Sequence, residues 1–496
     1  MLKDEKIPGL SRRQSEWLFY ISLVIVSLIV FLFLGETGYV LFDDSITYMN
    51  FHINMEGVMP IYQLFLYVNK LLIGEDSYLD AVIVEQAILA AACIILFIRV
   101  IKNRFSLKYW EAYVCYALAL LPFTTDMPQA MTTHEILTEG IAYSIFYVFA
   151  AALACAVWDK SVKWLGVSWI ISLILALIRS QLQILFIVCG VIGVYIAVLK
   201  GDSRRKKFLC FVCGLVSCIV ICLAGAWCVG RIATGYQKIK SEARREKQVR
   251  KNPKTDRLVF TTSQYVSLIF SRGMYEADYE DYLLFEEGQL RDLYLILYEQ
   301  SEKEQCRYVY AESGLWMWRD IVGGIGSIGS KCFYVQNDFY EENYPDLIWT
   351  SNYSAVRNGN QLKIGLRLLR AHFGRFLYHT LMLLPQAFIC TVFFQIERIY
   401  LLCHIVTLFL YLSAAALMVW AFKNKKVDNS YGGLMFFVIC TNLIFIGVIS
   451  LVFFGQQRYL VYNFGIFYIA YFLLIMQLWK IYGRELALKT WQRITS

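Results

Sequence analysis

Charge is scarce in this sequence. Asp, Glu, Lys and Arg make up 17% of its 496 residues, where soluble domains carry about 25%. So small a share excludes a disordered chain, which stays solvated through charge and polarity, and a typical cytosolic enzyme. A cysteine framework is also missing. The 14 Cys lie mostly inside apolar runs, as at Cys93, Cys155, Cys189 and Cys218, where a free thiol packs as a small hydrophobe. A disulfide-stapled secreted domain is therefore excluded. Cys210 and Cys213 form a C-x-x-C at the start of an apolar span, without the second pair or His cluster of a metal site. Cys306 and Cys332 alone lie in the long polar segment, and both pairing and free thiols remain open for them. There is no internal repeat of solenoid length.

What is abundant is apolar surface. Hydrophobic residues reach 58% and mean hydropathy is +0.50, more than a soluble core of this size can bury. The excess collects in long uncharged runs, the mark of an all-α polytopic membrane protein. Clear runs are 17–35, 140–157, 208–230, 399–422, 432–454 and 459–479, with 81–98 and the shorter 109–124 beside them. The stretch 164–199 is too long for one span and holds Arg179, so it reads as two helices joined near Ser180–Gln183. The first run reads as an uncleaved signal anchor, since its apolar core is long and no small-x-small site follows.

The net charge of +8 reads as a topology signal; membrane lipids are the expected surroundings, and no nucleic-acid partner is expected. The basic loops are Lys3 to Arg13, Lys102–Lys108, Asp159–Lys163, Lys200–Lys207, Lys423–Lys426 and the tail with Lys480, Arg484, Lys489 and Arg493. Placing all of them in the cytoplasm puts residues 232–374 outside, between an N-terminal membrane module, 1–231, and a C-terminal one, 375–496. The apolar run 376–394 breaks this parity unless it is amphipathic or re-entrant, which gives 10 spans; a true crossing together with one further span gives 12. The basic stretch Lys238–Arg257 then falls outside, which long segments tolerate; the opposite parity would make it cytoplasmic.

Ionisable residues collect at one depth on the outer face. The first external loop, 36–80, carries Asp43, Asp44 and Tyr48. Glu85 sits near the start of its span; His134, Glu135 and Glu139 precede or open the next one outward. Arg179 falls near the outer leaflet, and Arg458 and Tyr459 open the last span. Each also has a plain structural reading: a solvated loop or helix cap for the acids, a snorkelling or interfacial anchor for the arginines. Transporters more often carry ionisable residues near the midplane.

The order of these pieces resembles a known family. Phe-Asp-Asp (42–44), Glu-Gly-Val-Met-Pro-Ile-Tyr-Gln-Leu-Phe-Leu (56–66), Leu-Ile-Gly-Glu-Asp (72–76), Thr138-Glu139, Ile178-Arg179-Ser180 and Arg458-Tyr459 are similar to features of the GT-C glycosyltransferases, among them the protein O-mannosyltransferases and the lipid A aminoarabinose transferases. Gln63 stands where that family often has Pro, and Asp44 where Glu is common. The resemblance covers about 17–200 and 455–480; residues 232–398 match nothing in it. It implies a bundle of about 10–12 transmembrane helices with an external loop domain, a polyprenyl-phosphate-sugar donor, a lipid or glycan acceptor, inversion, and residence in the plasma membrane. Under it Asp43 and Asp44 are catalytic, Arg179, Arg458 and Tyr459 bind the donor phosphate, and Tyr48, Glu85, His134, Glu135 and Glu139 line the substrates.

The residue chemistry suits that reaction. A lipid phosphate is a good leaving group, so the main need is a carboxylate to take the acceptor hydroxyl's proton. Arg forks match the departing phosphate. The sequence does not require a metal, although adjacent acids can hold Mg2+ or Mn2+ with a phosphate; no Asp-x-Asp occurs in the loop. A flippase or transporter, a glycan polymerase or ligase, and a non-catalytic scaffold remain alternatives.

Overall fold

A computed structural model describes residues 11–33, 38–49, 59–124, 131–199, 204–251, 264–314, 316–348, 353–393, 396–452 and 457–483. In order, the helices are α1 (Arg12–Phe33), α2 (Asp43–Met49), α3 (Pro60–Ile73), α4 (Tyr78–Phe105), α5 (Tyr109–Ala119), α6 (Thr138–Asp159), α7 (Val162–Ile178), α8 (Ile184–Leu199), α9 (Arg204–Lys251) and α10 (Gln264–Tyr275). There follow α11 (Gln289–Lys303), α12 (Met317–Asn343), α13 (Pro345–Ile348), α14 (Tyr353–Ala371), α15 (Phe373–Cys390), α16 (Tyr400–Lys423), α17 (Asn429–Val452), α18 (Gln457–Leu460) and α19 (Phe464–Leu478). Strands are absent among the described residues. Eight helical stretches are long and apolar enough to cross a membrane, and the chain is an all-α, multi-pass membrane protein.

Two shorter pieces join them. α7 has 17 residues and ends at Arg179, whose extended backbone turns the chain through the 3-10 turn Ser180–Gln183 into α8. Ser172 faces Cys189 across the resulting hairpin at 3.5 Å, so the sequence's break at this point is a tight reversal. α5 has only 11 residues, too few to cross ~30 Å of hydrocarbon alone. It climbs beside α1 in four rungs. Tyr109 meets Phe19 at 5.1 Å, Tyr113 bonds Ser22, Tyr116 bonds Ser27 at 2.6 Å, and Phe123, past the helix end, meets Phe31 at 5.3 Å.

Polar contacts gather at two opposite rims. At one, Arg104 donates to Ser430 (3.0 Å) and pairs with Asp159 (3.4 Å), while Lys480 pairs with the buried Glu111 at 2.8 Å. These residues flank the short basic loops. At the other rim His134 Nε2 donates to the Phe31 carbonyl (2.6 Å), Val40 pairs with the chain at His134 to Ile136, and Tyr236 on α9 donates to Gln63 on α3 at 2.9 Å. The last bond sets Tyr236 of α9 level with α3.

Residues from Phe270 to Cys403 form a second hydrophobic core, separate from the membrane bundle. α10 crosses α14 where glycines allow backbone contact: a Cβ on Gly273 would lie 2.7 Å from the Gly365 carbonyl, and one on Gly365 would lie 2.8 Å from that of Ile269. Cys306 and Cys332 are buried there as free thiols. α15 joins the two cores. Its first half packs in the second core; its end enters the bundle, where Phe388 stacks on Tyr411 at 4.5 Å, Thr391 bonds Tyr411 at 2.7 Å, and the Val392 carbonyl accepts from Tyr468 at 2.6 Å. Tyr411 and Tyr468 lie well inside their spans. The chain then returns to Tyr400, which packs against Trp316 at 5.0 Å and Trp318 at 5.6 Å in the second core. Of the segment 376–394, the described part to Phe393 thus enters the bundle from the side of the second core, and the chain is back at that core by Tyr400.

Candidate outer-rim site

α6 opens with Thr138 and Glu139 in its first turn, where the helix dipole favours an acid. Arg179, at the tip of the α7–α8 hairpin, forms an ion pair with Glu139. The two side chains are 11% and 4% exposed, so each charge depends on the other; a buried pair of this kind is costly to break from one side. Thr138 donates to the second Glu139 oxygen at 2.9 Å.

The Arg179 guanidinium lies 5.0 Å from the centre of the Tyr459 ring. The Arg458 guanidinium lies 5.1 Å from the centre of the same ring and donates to its hydroxyl at 3.0 Å. One aromatic ring therefore carries two cations from elements distant in sequence. Arg458 also meets Asp44 on α2 at 3.3 Å, and its carbonyl accepts from Tyr143 on α6 at 3.0 Å. The backbone of Asp43 opens α2; its side chain lies outside the described residues, as do Glu56, Gly57 and Val58 of the loop motif and Arg484, Lys489 and Arg493 of the tail. Tyr48 packs edge-on against Tyr62 at 5.4 Å. Burial pushes the Tyr48 phenol up to about 12, with Arg179 opposing and Glu139 and Asp44 adding to the shift. Tyr48 is therefore near enough to sense all three charges.

The other residues singled out in the sequence take different places. Glu135 is buried, and its backbone helps to hold Val40. Gln86 donates to the Thr133 and Glu135 carbonyls at 2.9 and 3.1 Å, pinning this loop to α4. His134 is spent on Phe31. Glu85 is exposed on α4 and accepts from Asn69 at 2.8 Å; no bond links it to the two arginines. Tyr143 and Tyr462 were not among the expected site residues. They meet edge-on at 4.9 Å beneath Arg458. Each lies four residues after a candidate, Glu139 or Arg458, and that helical spacing could have revealed them.

Three ligand atoms of Asp278, Asp281 and His372 in the second core lie within 4.8 Å of one another, but they are already knitted by hydrogen bonds. Arg375 donates to His372 Nδ1 at 2.5 Å and to Asp278 at 2.7 Å. His372 Nε2 therefore carries the proton and gives it to Asp281 at 2.7 Å. These hydrogen bonds tie the three residues to Arg375 and to one another as an ion-pair network. At the outer rim Asp44 is engaged by Arg458.

Comparison with known proteins identifies no relative: no family model, no curated protein and no solved structure matches the chain. Fold and site together define the class as a multi-pass helical membrane protein with a cluster of charged residues at one rim.

Proposed function

We propose that the protein is a plasma-membrane glycosyltransferase that moves a sugar from a polyprenyl-phosphate donor to a cell-envelope acceptor at the outer face. The observation that supports this best is the pair of guanidiniums, Arg179 and Arg458, sharing the Tyr459 ring beside the acidic start of α2. Two like charges are brought near one ring, and an anion between them, as a lipid phosphate would be, would offset their repulsion.

In the reaction the acceptor oxygen bonds to the anomeric carbon, and the carbon–oxygen bond to the phosphate breaks. Its electron pair leaves with the phosphate, whose growing charge Arg458 and Arg179 stabilise. Asp43 takes the acceptor proton. Asp44, held by Arg458, couples the acidic helix to the phosphate site. Attack from the face opposite the phosphate inverts the anomeric centre, as in the GT-C class. Glu139 keeps Arg179 charged and aimed despite its burial, and Tyr48 borders the acceptor side.

A flippase would call for ionisable groups at the midplane. Among the described residues, three neutral polar groups inside the bundle bond one another: Asn463 donates to Asn442 at 2.9 Å, and Asn442 to Tyr411 at 2.9 Å. The deciding experiment follows radiolabelled sugar from polyprenyl-phosphate donors into envelope acceptors, in membranes with and without the protein. Label should enter the acceptor fraction only when the protein is present. Donor that crosses the bilayer without sugar leaving its phosphate would instead establish a flippase.

A further inference from the structure

α14 and α15 meet at Ala371 and His372, and the charge across them is of one sign. From Tyr353 to Ile396 the sequence holds no Asp or Glu, while Lys363, Arg367 and Arg370 fall on α14. At 100° per residue these three lie within an arc of about 60°. All three are exposed, opposite the side that buries Ile364 and Leu368. Arg367 donates to the Leu284 carbonyl at 2.8 Å. Among the described residues, no hydrogen bond or ion pair engages Lys363 or Arg370.

α15 is divided between apolar exposure and burial. His379, Thr380 and Leu383 are buried. Phe373, Leu377 and Leu381 recur every four residues as one ridge, and they are between 43% and 60% exposed. The contacts of the same helix fix how far this ridge can stand from the bundle. Phe388 stacks on Tyr411, which is eleven residues into the span that begins at Tyr400 and so about 16 Å along it. Counting back from Phe388, α15 can climb at most about 10 Å to Leu381, 16 Å to Leu377 and 22 Å to Phe373. Whatever its tilt, Leu381 stays within the depth of the span, Leu377 rises no higher than its edge, and Phe373 passes that edge by about 6 Å at most. Arg370 stands three residues before Phe373, so the cationic arc begins where the ridge ends.

We propose that the α14–α15 corner is a binding site for an anionic phospholipid. The lipid phosphate meets Lys363 and Arg370, and its acyl chain lies along Leu377 and Leu381. The ridge is continuous with a helix end already packed among the spans, and bilayer lipid covers apolar side chains at that depth. A zwitterionic headgroup brings its own ammonium to the phosphate. Two cations without acids favour a headgroup of net negative charge, such as phosphatidylglycerol. The inference does not rest on sugar transfer.

The test is photolabelling of the full-length protein in nanodiscs. The probes are phosphatidylglycerol and phosphatidylcholine, each with a diazirine in the acyl chain, and labelled residues are read by mass spectrometry. Leu401 and Ile405, exposed at the start of α16, serve as the reference for general lipid contact. In wild type, the phosphatidylglycerol probe should label residues 373–384 at least about threefold more than the phosphatidylcholine probe, since one cation near an anionic surface is worth roughly fivefold before screening by salt. A variant with Lys363→Gln and Arg370→Gln keeps helix propensity, and its phosphatidylglycerol labelling should fall to the phosphatidylcholine level. A control with Arg291→Gln and Lys331→Gln removes two cations of the same core that have acid partners, Glu287 and Glu304; its labelling should stay within about twofold of wild type. Equal labelling by the two probes in wild type, or equal losses in the two variants, overturns the proposal. So does a ridge that neither probe labels while Leu401 and Ile405 are labelled, because the ridge is then covered by protein, as by a second copy of the chain.

Discussion

Two of the charged clusters among the described residues are built differently. In the second core Arg375 answers Asp278, Tyr308 donates to the same carboxylate at 2.7 Å, and His372 bridges to Asp281. Cation and anion alternate, partly in reach of water. At the outer rim two cations face one ring. One is bound to the buried Glu139, the other only loosely to Asp44, at 3.3 Å with side chains 33% and 55% exposed. Alternation supports a fold. Like charges brought together, at a cost in repulsion, point to a ligand of opposite sign. The difference separates a structural network from a candidate site within one chain.

That contrast can be broken by substitution. The largest effect is expected for Asp43→Asn, which keeps shape but removes the proton acceptor. Sugar transfer should fall by about 10²–10⁴-fold with donor binding nearly unchanged, measured as turnover and donor affinity on purified protein; full turnover would end the assignment. Next comes Glu139→Gln. It leaves Arg179 buried without a counter-charge, so thermal unfolding in detergent should register a loss of about 3–5 kcal/mol. A change within error would mean that water reaches Arg179 freely.

Arg458→Lys keeps the charge and loses the planar fork. A loss of about 10–100-fold in transfer efficiency is expected, the worth of one charged hydrogen bond; an interfacial anchor would tolerate Lys with unchanged donor titration. The smallest effect belongs to the second cluster. Asp278→Asn should cost about 1 kcal/mol or less, as for partly exposed pairs. Its pH dependence has a definite sign. Burial acts to raise the Asp278 carboxyl, but hydrogen bonds from Arg375 and Tyr308 outweigh it and hold the group below its usual range. Its contribution is therefore present above the ordinary carboxylate value and is lost as pH falls through the lower folded value. Hydrogen exchange in α10 and α11 should quicken only at the acid end, and in the Asn variant that acid step should shrink.

Much of the bundle was legible because lipid demands long apolar runs. The break at Ser180–Gln183 could be read from one charge in an otherwise uncharged stretch. The partners were not legible: nothing in the spacing says that Glu139 meets Arg179 or that Tyr459 lies between two guanidiniums, since those contacts depend on how separate helices pack. The second core escaped for a similar reason. Its helices are mixed in polarity, and its tight crossing rests on Gly273 and Gly365, which look unremarkable in sequence. α15 escaped in part: apolar enough to suggest a crossing, it turns back because Tyr411 and Tyr468 can bond its open end.

The tip of this segment also sets an order of assembly. Thr391 and the Val392 carbonyl find their partners 20 and 76 residues later in the chain. As the polypeptide emerges, α10 to α15 are made before α16 adds Tyr400 and Cys403 to the second core; the tip gains its first partner, Tyr411, with α16 and its second, Tyr468, only with the last span. Synthesis of the final helix thus completes the docking of this segment, and a chain truncated before Tyr468 should hold the tip through Tyr411 alone.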